Sequence, residues 1–284
     1  MSRLRKELIQ QRFGRQLYDY RRHAVVQESM AERLAELTYK FAPTSEIERI
    51  LEIGSGSAGL TDALLARLNA KEYFANDLVP ESGKMVNTVA QQHQVESLEF
   101  LPGDIEQLHL PQNLDLIVSG ATVQWLDDLH RFFKRMARVL NDRGQLCFSS
   151  FGPHNMCEIR ELTQIGLNYH TLDELRELAA PWFDFEIMTE EFHELEFSNP
   201  TAVLKHVSKT GVNGLNQTPW TRSQHRSFVE RYQQDYATNT GVQLTYHCLY
   251  CCLKKKETAV PVGKSINPWD VNVEAEEMEM AYGW

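Results

Sequence analysis

From residue 49 onward, short apolar runs alternate with segments whose apolar positions recur every three to four residues. The runs "RILEIG", "EYFANDLV", "LEFLPGD", "LDLIVSG" and "GQLCFSSF" read as strands, and helical patterns lie between them at 59–69, 81–93 and 128–140. Near-continuous apolar strands alternating with helices predict a parallel sheet covered on both faces. Upstream, "LIQQRFGRQLYDY" and "VVQESMAERLAELTYKF" show helical spacing across residues 3 to 40, and Pro43 closes them.

After Gly152 the rhythm changes. "TLDELRELAAPW" reads as a short helix with Thr171 as N-cap and Glu174 as the capping-box acid. "FEIMTEEFHELEF" follows as a strand, residues 200 to 237 are helical and polar around the glycine-rich hinge "KTGVNGLN", and "VQLTYHCLYCCLKK" is a last strand. Two strands flanking a helical insert complete a seven-stranded α/β sheet whose last strand runs antiparallel. The expected organisation is an N-terminal helical segment at 1–44, a main domain at 45–255 with a helical cap at about 200–237, and an acidic tail at 256–284. The tail has no sustained period and reads as disordered.

The 284-residue chain is 42% hydrophobic and 24% charged, which suits a globular enzyme rather than a disordered chain. No apolar run approaches a membrane span, and the charged start "MSRLRKELIQQRFGRQ" lacks the apolar core of an export signal, so cytoplasm is expected. Five cysteines then suit reduced thiols. The C-x-x-C within "CLYCC" falls in a strand, where positions 248 and 251 face opposite sides, so no metal is expected there. The net charge of −10 hides two basic segments. Residues 1 to 22 set seven basic side chains against Glu7 and Asp19, and residues 200 to 232 set Lys205, Lys209, Arg222, Arg226 and Arg231 against Glu230. An acidic body with local basic segments points to a local anionic partner, not to nucleic acid.

The stretch "ILEIGSGSAGL" carries the first chemistry. Its G-x-G-x-x-G follows an apolar strand and opens a helix, the context in which a nucleoside sits at the carboxyl ends of parallel strands of a Rossmann-like, doubly wound sheet. Gly54 is expected to make the turn, Gly56 to let backbone approach the ligand, and Gly59 to pack helix on strand. Asp77 ends the next strand, where ribose hydroxyls need an acceptor, and Asp104 in "LPGD" is placed to accept from an adenine amino group. Glu52, two residues before Gly54, is expected to repel a pyrophosphate and favour a positively charged sulfonium compound, S-adenosylmethionine. Gln27, Ser55, Leu78, Ile105 and Gly120 complete the expected cofactor contacts.

"ILEIGSGSAG", "ANDL", "PGDIE" and "DLIVSGATVQWLDDL" resemble the successive motifs of class I S-adenosylmethionine-dependent methyltransferases over roughly residues 45 to 155. Further segments, "RFGRQLYDYRRHAVVQ", "FSSFGPHNMCEIREL", "LKHVSKTGVNG" and "GVQLTYHCLY", resemble the malonyl-acyl-carrier-protein O-methyltransferases of biotin synthesis, extending the likeness to about residues 10 to 253. The family often has glycine where this chain has Ala58, a departure expected to be harmless because Gly59 still opens the helix. The tail after Lys256 lies outside the family pattern.

The resemblance implies transfer of the sulfonium methyl to the free carboxylate of a malonyl thioester on acyl carrier protein, with malonyl-coenzyme A as another possible carrier. That carboxylate is already ionised at neutral pH, with a reference pKa of roughly 4, so neither a strong base nor a metal is required. Positioning and exclusion of water remain as the sources of rate. The resemblance places the N-terminal helix as a lid, from which Tyr18 is expected to bring its hydroxyl over the methyl donor. Trp125 is expected to wall the malonyl site, and His154 to donate a hydrogen bond to the substrate carboxylate. Lys205, Lys209, Arg222 and Arg226 are the expected docking residues for the acidic carrier, since a positive rim raises the encounter rate. A monomer is expected. Two alternatives stay open at this stage: a class I methyltransferase acting on a small acid or quinone precursor, and a nucleotide-binding module without catalysis.

Overall fold

Strand β1 (Glu46–Ile53) sends Ile50 to one side and Leu51 and Ile53 to the other, and its neighbours alternate likewise, so one sheet separates two apolar layers. The computed structural model describes residues 6–8, 10–15, 17, 24–42, 46–209 and 220–257. The other strands are β2 (Asn69–Asp77), β3 (Ser97–Pro102), β4 (Leu114–Ser119), β5 (Leu140–Phe151), β6 (Phe183–Phe197) and β7 (Val242–Lys255). They form one sheet in the order β3-β2-β1-β4-β5-β7-β6. Strands β1 to β5 pair in parallel, and β7 enters antiparallel between β5 and β6.

One layer is built from α1 (Val25–Phe41), α2 (Gly59–Leu65), α3 (Ser82–Gln92), α7 (Pro200–Lys209) and α8 (Arg222–Asp235), through Leu34, Leu64, Val86, Val203 and Tyr232. The short α5 (Cys157–Thr163) packs on the same side through Ile159. The opposite layer is built from α4 (Leu129–Val139) and α6 (Leu172–Ala179), through Phe133, Met136, Leu175 and Ala179. Each fully buried Leu or Phe contributes about 1.5–3 kcal/mol. Helix α1 is a core element: Met30 and Leu34 are fully buried in it.

The expected hydrophobic runs overlap the observed strands, with Leu78–Val79 and Gly103–Asp104 lying past the ends of β2 and β3, and β1, β2 and β5 begin earlier than their runs. β2 starts at Asn69, paired with Glu46, and β5 starts at Leu140, directly after α4. Polar side chains support the early part of β5: Asn141 Nδ2 donates to Asp115 Oδ1 at 2.7 Å and to the Asn113 carbonyl at 3.1 Å. Thr171 and Glu174 form the expected capping box, and Thr221 with Gln224 forms a second one at α8. In β7, Cys248 and Cys252 face the α1 layer while Cys251 faces the α4 layer. Among the described residues, no helix is long and apolar enough to cross a membrane.

The order of strands reverses between β1 and β4, and in such sheets the crevice at the carboxyl ends of those strands receives the ligand. Ser119 at the end of β4 ties the two together by donating to the Ile53 carbonyl at 3.1 Å.

Candidate active site: a cavity at the switch point of the sheet

The glycine loop leaves β1 in a conformation that side chains resist. Gly54 has φ +75° and Gly56 φ +49°, in the left-handed region open to glycine. A Cβ on Gly54 would lie 2.0 Å from Thr122 Oγ1, so this residue is fixed by space as well as by torsion. The N–H groups of Gly54 and Ser55 both donate to the Asn76 carbonyl, at 2.8 and 3.0 Å. Asn76 in turn donates through Nδ2 to the carbonyls of Leu101 and Gly103, at 2.8 and 2.9 Å, which locks the ends of β1, β2 and β3 together.

Two expectations for this loop change. Gly59 packs against α1 rather than against a strand: a Cβ there would meet Glu28 Oε1 at 2.8 Å. Ala58 is itself left-handed, with φ +63°, so its departure from the family glycine carries a cost of about 1–2 kcal/mol that glycine would avoid.

Asp77 is buried at the end of β2 and aims both oxygens at backbone. Oδ2 accepts from Gly56 N and Oδ1 from Val79 N, each at 2.7 Å. Burial raises its pKa, opposed by those two donors. Lone pairs remain for a ribose diol. Just beyond β3, Asp104 accepts from Glu106 N at 3.0 Å through Oδ1.

Glu52 differs from expectation. The pleat of β1 turns its carboxyl away from the cavity and under α2, where it is wholly buried. Oε2 accepts from Thr61 Oγ1 at 2.6 Å and from the Tyr73 hydroxyl at 2.7 Å, and Oε1 has no hydrogen-bond partner among the described residues. Burial pushes its pKa up to about 7, the two hydroxyls oppose the rise, and repulsion from Asp77 adds to it. Glu52 therefore supports the floor of the site from below and does not line the cavity, whose acidic side chains are Glu28, Asp77 and Asp104, the last ion-paired with Lys6 at 2.7 Å.

The cavity is lined by Gln27, Gly54, Ser55, Gly56, Asp77, Leu78, Asp104, Ile105, Gly120 and Trp125, all expected from sequence. Gln27 is buried, and its Oε1 has no hydrogen-bond partner among the described residues, which leaves an acceptor at the wall. The side-chain lining missed in the sequence includes Ser149, whose Oγ accepts from Ala121 N at 3.1 Å, and a stripe from the N-terminal helical stretch: Lys6, Gln10, Phe13 and Leu17. Their spacing of four, three and four residues is one helix face, a signal present in the sequence. Phe13 meets Trp125 edge-on, with centroids 5.9 Å apart.

The remaining expected residues lie elsewhere. His154 is exposed beyond β5 and does not line the cavity: its N–H donates to His247 Nδ1 at 3.2 Å, which holds the turn toward β7, and its ring lies 6.0 Å from Phe192. Tyr18 lies outside the described residues, as do most of the hinge "KTGVNGLN" and the tail beyond Glu257. Lys205 and Lys209 are on α7, and Arg222 and Arg226 on α8, away from the cavity lining. Arg226 pairs with Glu230 at 2.8 Å.

These groups fit an adenosine-bearing cation. The glycine cradle admits backbone contact, the carboxylates of Asp77 and Asp104 offer acceptors, and the Gln27 oxygen, without a partner among the described residues, offers another. Strand order, reversed last strand and glycine-floored cavity together define a class I S-adenosylmethionine-dependent methyltransferase, with S-adenosylmethionine as cosubstrate. Residues 51–148 match the methyltransferase domain family, and the fold superposes on the YcgJ protein of Bacillus subtilis with a TM-score of 0.60. That pair shares 15% identity, over 80% of this chain and 99% of the other. The chain is 54% identical over 256 residues to the malonyl-[acyl-carrier protein] O-methyltransferase of Prosthecochloris aestuarii, covering 90% of this chain and 96% of the relative. It is 40% identical over 253 residues to the protein of the same name from Chlorobium luteolum, covering 89% and 96%. The chain belongs to the malonyl-[acyl-carrier protein] O-methyltransferase family.

Proposed function

We propose that this chain methylates the free carboxylate of a malonyl group carried as a thioester on acyl carrier protein, giving the malonyl methyl ester for early biotin synthesis. The observation that carries the reading is the convergence of Gln27, Gly54, Gly56, Asp77, Asp104 and Trp125 on one cavity in a chain of this family. When bound, S-adenosylmethionine supplies an electrophilic methyl on a sulfonium.

The chain's own contribution is placement. Asp77 receives the ribose hydroxyls, Asp104 the adenine amino group, and Gln27 with the Gly54–Gly56 backbone the amino-acid end. Asp77 keeps negative charge near the cation, while Asp104 has its own charge met by Lys6. Trp125 and Phe13 form an apolar wall that strips water from the incoming carboxylate, and a less hydrated anion is a better nucleophile. The described helical stretch within residues 6–17 serves as the lid, with Tyr18 next in sequence to its last described residue. His154, on the rim beside Phe192, is positioned by His247 and meets the carrier-bound arm outside the cavity. Lys205, Lys209, Arg222 and Arg226 draw in the acidic carrier protein, and the enzyme works as a cytoplasmic monomer.

The direct test is mass spectrometry of malonyl-acyl carrier protein after incubation with the chain and S-adenosylmethionine. A gain of one methyl on the malonyl group is expected. Methylation of free malonate with no change to the carrier-bound form would overturn the assignment.

A further inference from the structure

Lys6 is set apart from the rest of the basic N-terminus by what it touches. Its ammonium lies 2.7 Å from Asp104 Oδ2, 2.5 Å from Glu106 Oε2 and 3.4 Å from Asp127 Oδ2, and its side chain is only 16% exposed. Two of these acids follow β3 and the third precedes α4, so one cation joins three segments far apart in sequence. Glu106 also accepts from the N–H groups of Asp127 and Asp128, at 3.1 and 3.2 Å, which holds the two acidic loops side by side whether or not Lys6 is present.

With Lys6 withdrawn, three carboxylates would confront one another beside the adenine end of the cavity. A cation arriving from the roof relieves their repulsion. Hydrogen bonds to both oxygens of Asp104, from Lys6 and from Glu106 N, leave further lone pairs on that carboxylate, so Lys6 and an adenine amino group can share it. On the same helix face, Phe13 rests on Trp125, and Gly14 passes close to Val79 Cγ1.

We propose that Lys6 is a positioning residue that latches the N-terminal helix across the bound nucleoside and controls its release through the Asp104–Glu106–Asp127 triad. The latch fastens the roof at the adenine end, while the Phe13–Trp125 contact closes it near the reacting end. Departure of the demethylated nucleoside requires three charge contacts to open together. This rests on the reading of the cavity as the S-adenosylmethionine site.

The test measures dissociation of S-adenosylhomocysteine by stopped-flow chase in the wild type, Lys6→Met, Lys6→Arg and Asp127→Asn, at low and high sodium chloride. Lys6→Met should speed release about tenfold, since charge-assisted contacts of this kind are the strong ones. Lys6→Arg should restore slow release. Asp127 does not line the cavity, so a smaller acceleration in Asp127→Asn, absent when Lys6 is already Met, is expected from the latch. Salt should speed release from the wild type more than from Lys6→Met, because the variant has lost the ion pairs whose screening loosens the latch. Binding by the wild type with unchanged release in Lys6→Met would overturn the latch alone, and so would an equal acceleration by salt in the two proteins. No binding of S-adenosylhomocysteine by the folded wild type would overturn the cavity reading and the latch with it.

Discussion

The Tyr73 hydroxyl donates to Glu52 Oε2 across 2.7 Å, in a buried position beneath the glycine loop. Burial in that place raises the Glu52 pKa to about 7 from an ordinary 4.5. The folded state therefore holds a proton that the unfolded chain has lost between those two values. Stability from this group is fully present below about pH 4.5 and is lost as pH rises through 7, by an amount on the order of 3 kcal/mol. Urea midpoints of wild type and Glu52→Gln between pH 5 and 8 should show a decline in the wild type that is absent from the variant. Parallel curves would contradict the assignment.

Asp77→Asn keeps the shape of the side chain and removes its charge. Hydrogen bonds to charged groups contribute about 1.5–3 kcal/mol, so affinity for S-adenosylmethionine should fall roughly 10- to 150-fold. Calorimetry on a variant whose apo melting temperature is near that of the wild type checks this. Unchanged affinity would remove Asp77 from the ribose.

Gly54→Ala should abolish measurable cofactor binding, because the new Cβ meets Thr122 Oγ1 at 2.0 Å and the φ of +75° disfavours a side chain. The double variant Gly54→Ala/Thr122→Gly removes the collision and leaves only the torsional cost of about 1–2 kcal/mol. It should recover part of the binding, read by the same titration. No recovery would place the fault in the loop backbone alone.

Lys205→Glu and Arg226→Glu should weaken use of the carrier-bound malonyl thioester more than use of its coenzyme A counterpart, seen as a selective rise in KM. Arg226 is already paired with Glu230, so Lys205 should show the larger effect. Equal losses on both substrates would argue against docking by this surface.

Much of this was legible in the sequence because β1 to β5 carry continuous apolar runs, and the glycines and acids sit at their ends. Asp77 and Asp104 could be placed at strand tips without any coordinates. Glu52 could not be placed correctly, since the residue two before the turn lies near the loop along the chain while the pleat turns its side chain under α2. His154 escaped for a related reason. Its position after β5 follows from sequence, but the bond from its N–H to His247, ninety-three residues later, fixes the turn outside the cavity lining. The early starts of β2 and β5 were hidden because polar residues such as Asn69 and Asn141 extend those strands through pairing, not through burial. The stripe of Lys6, Gln10, Phe13 and Leu17 was readable as a helix face, and only its partner was missing.

The seat of β7 between β5 and β6 has a consequence for synthesis on the ribosome. Strand β6 pairs with β7 and stands at the margin of the sheet, so it has no strand to join while residues 242–255 are still in the exit tunnel. The nascent chain must hold that ribbon, with its many acidic residues keeping it soluble, until β7 has emerged from the tunnel. The sheet is thus closed by its last-made strand, sliding between two that were made before it.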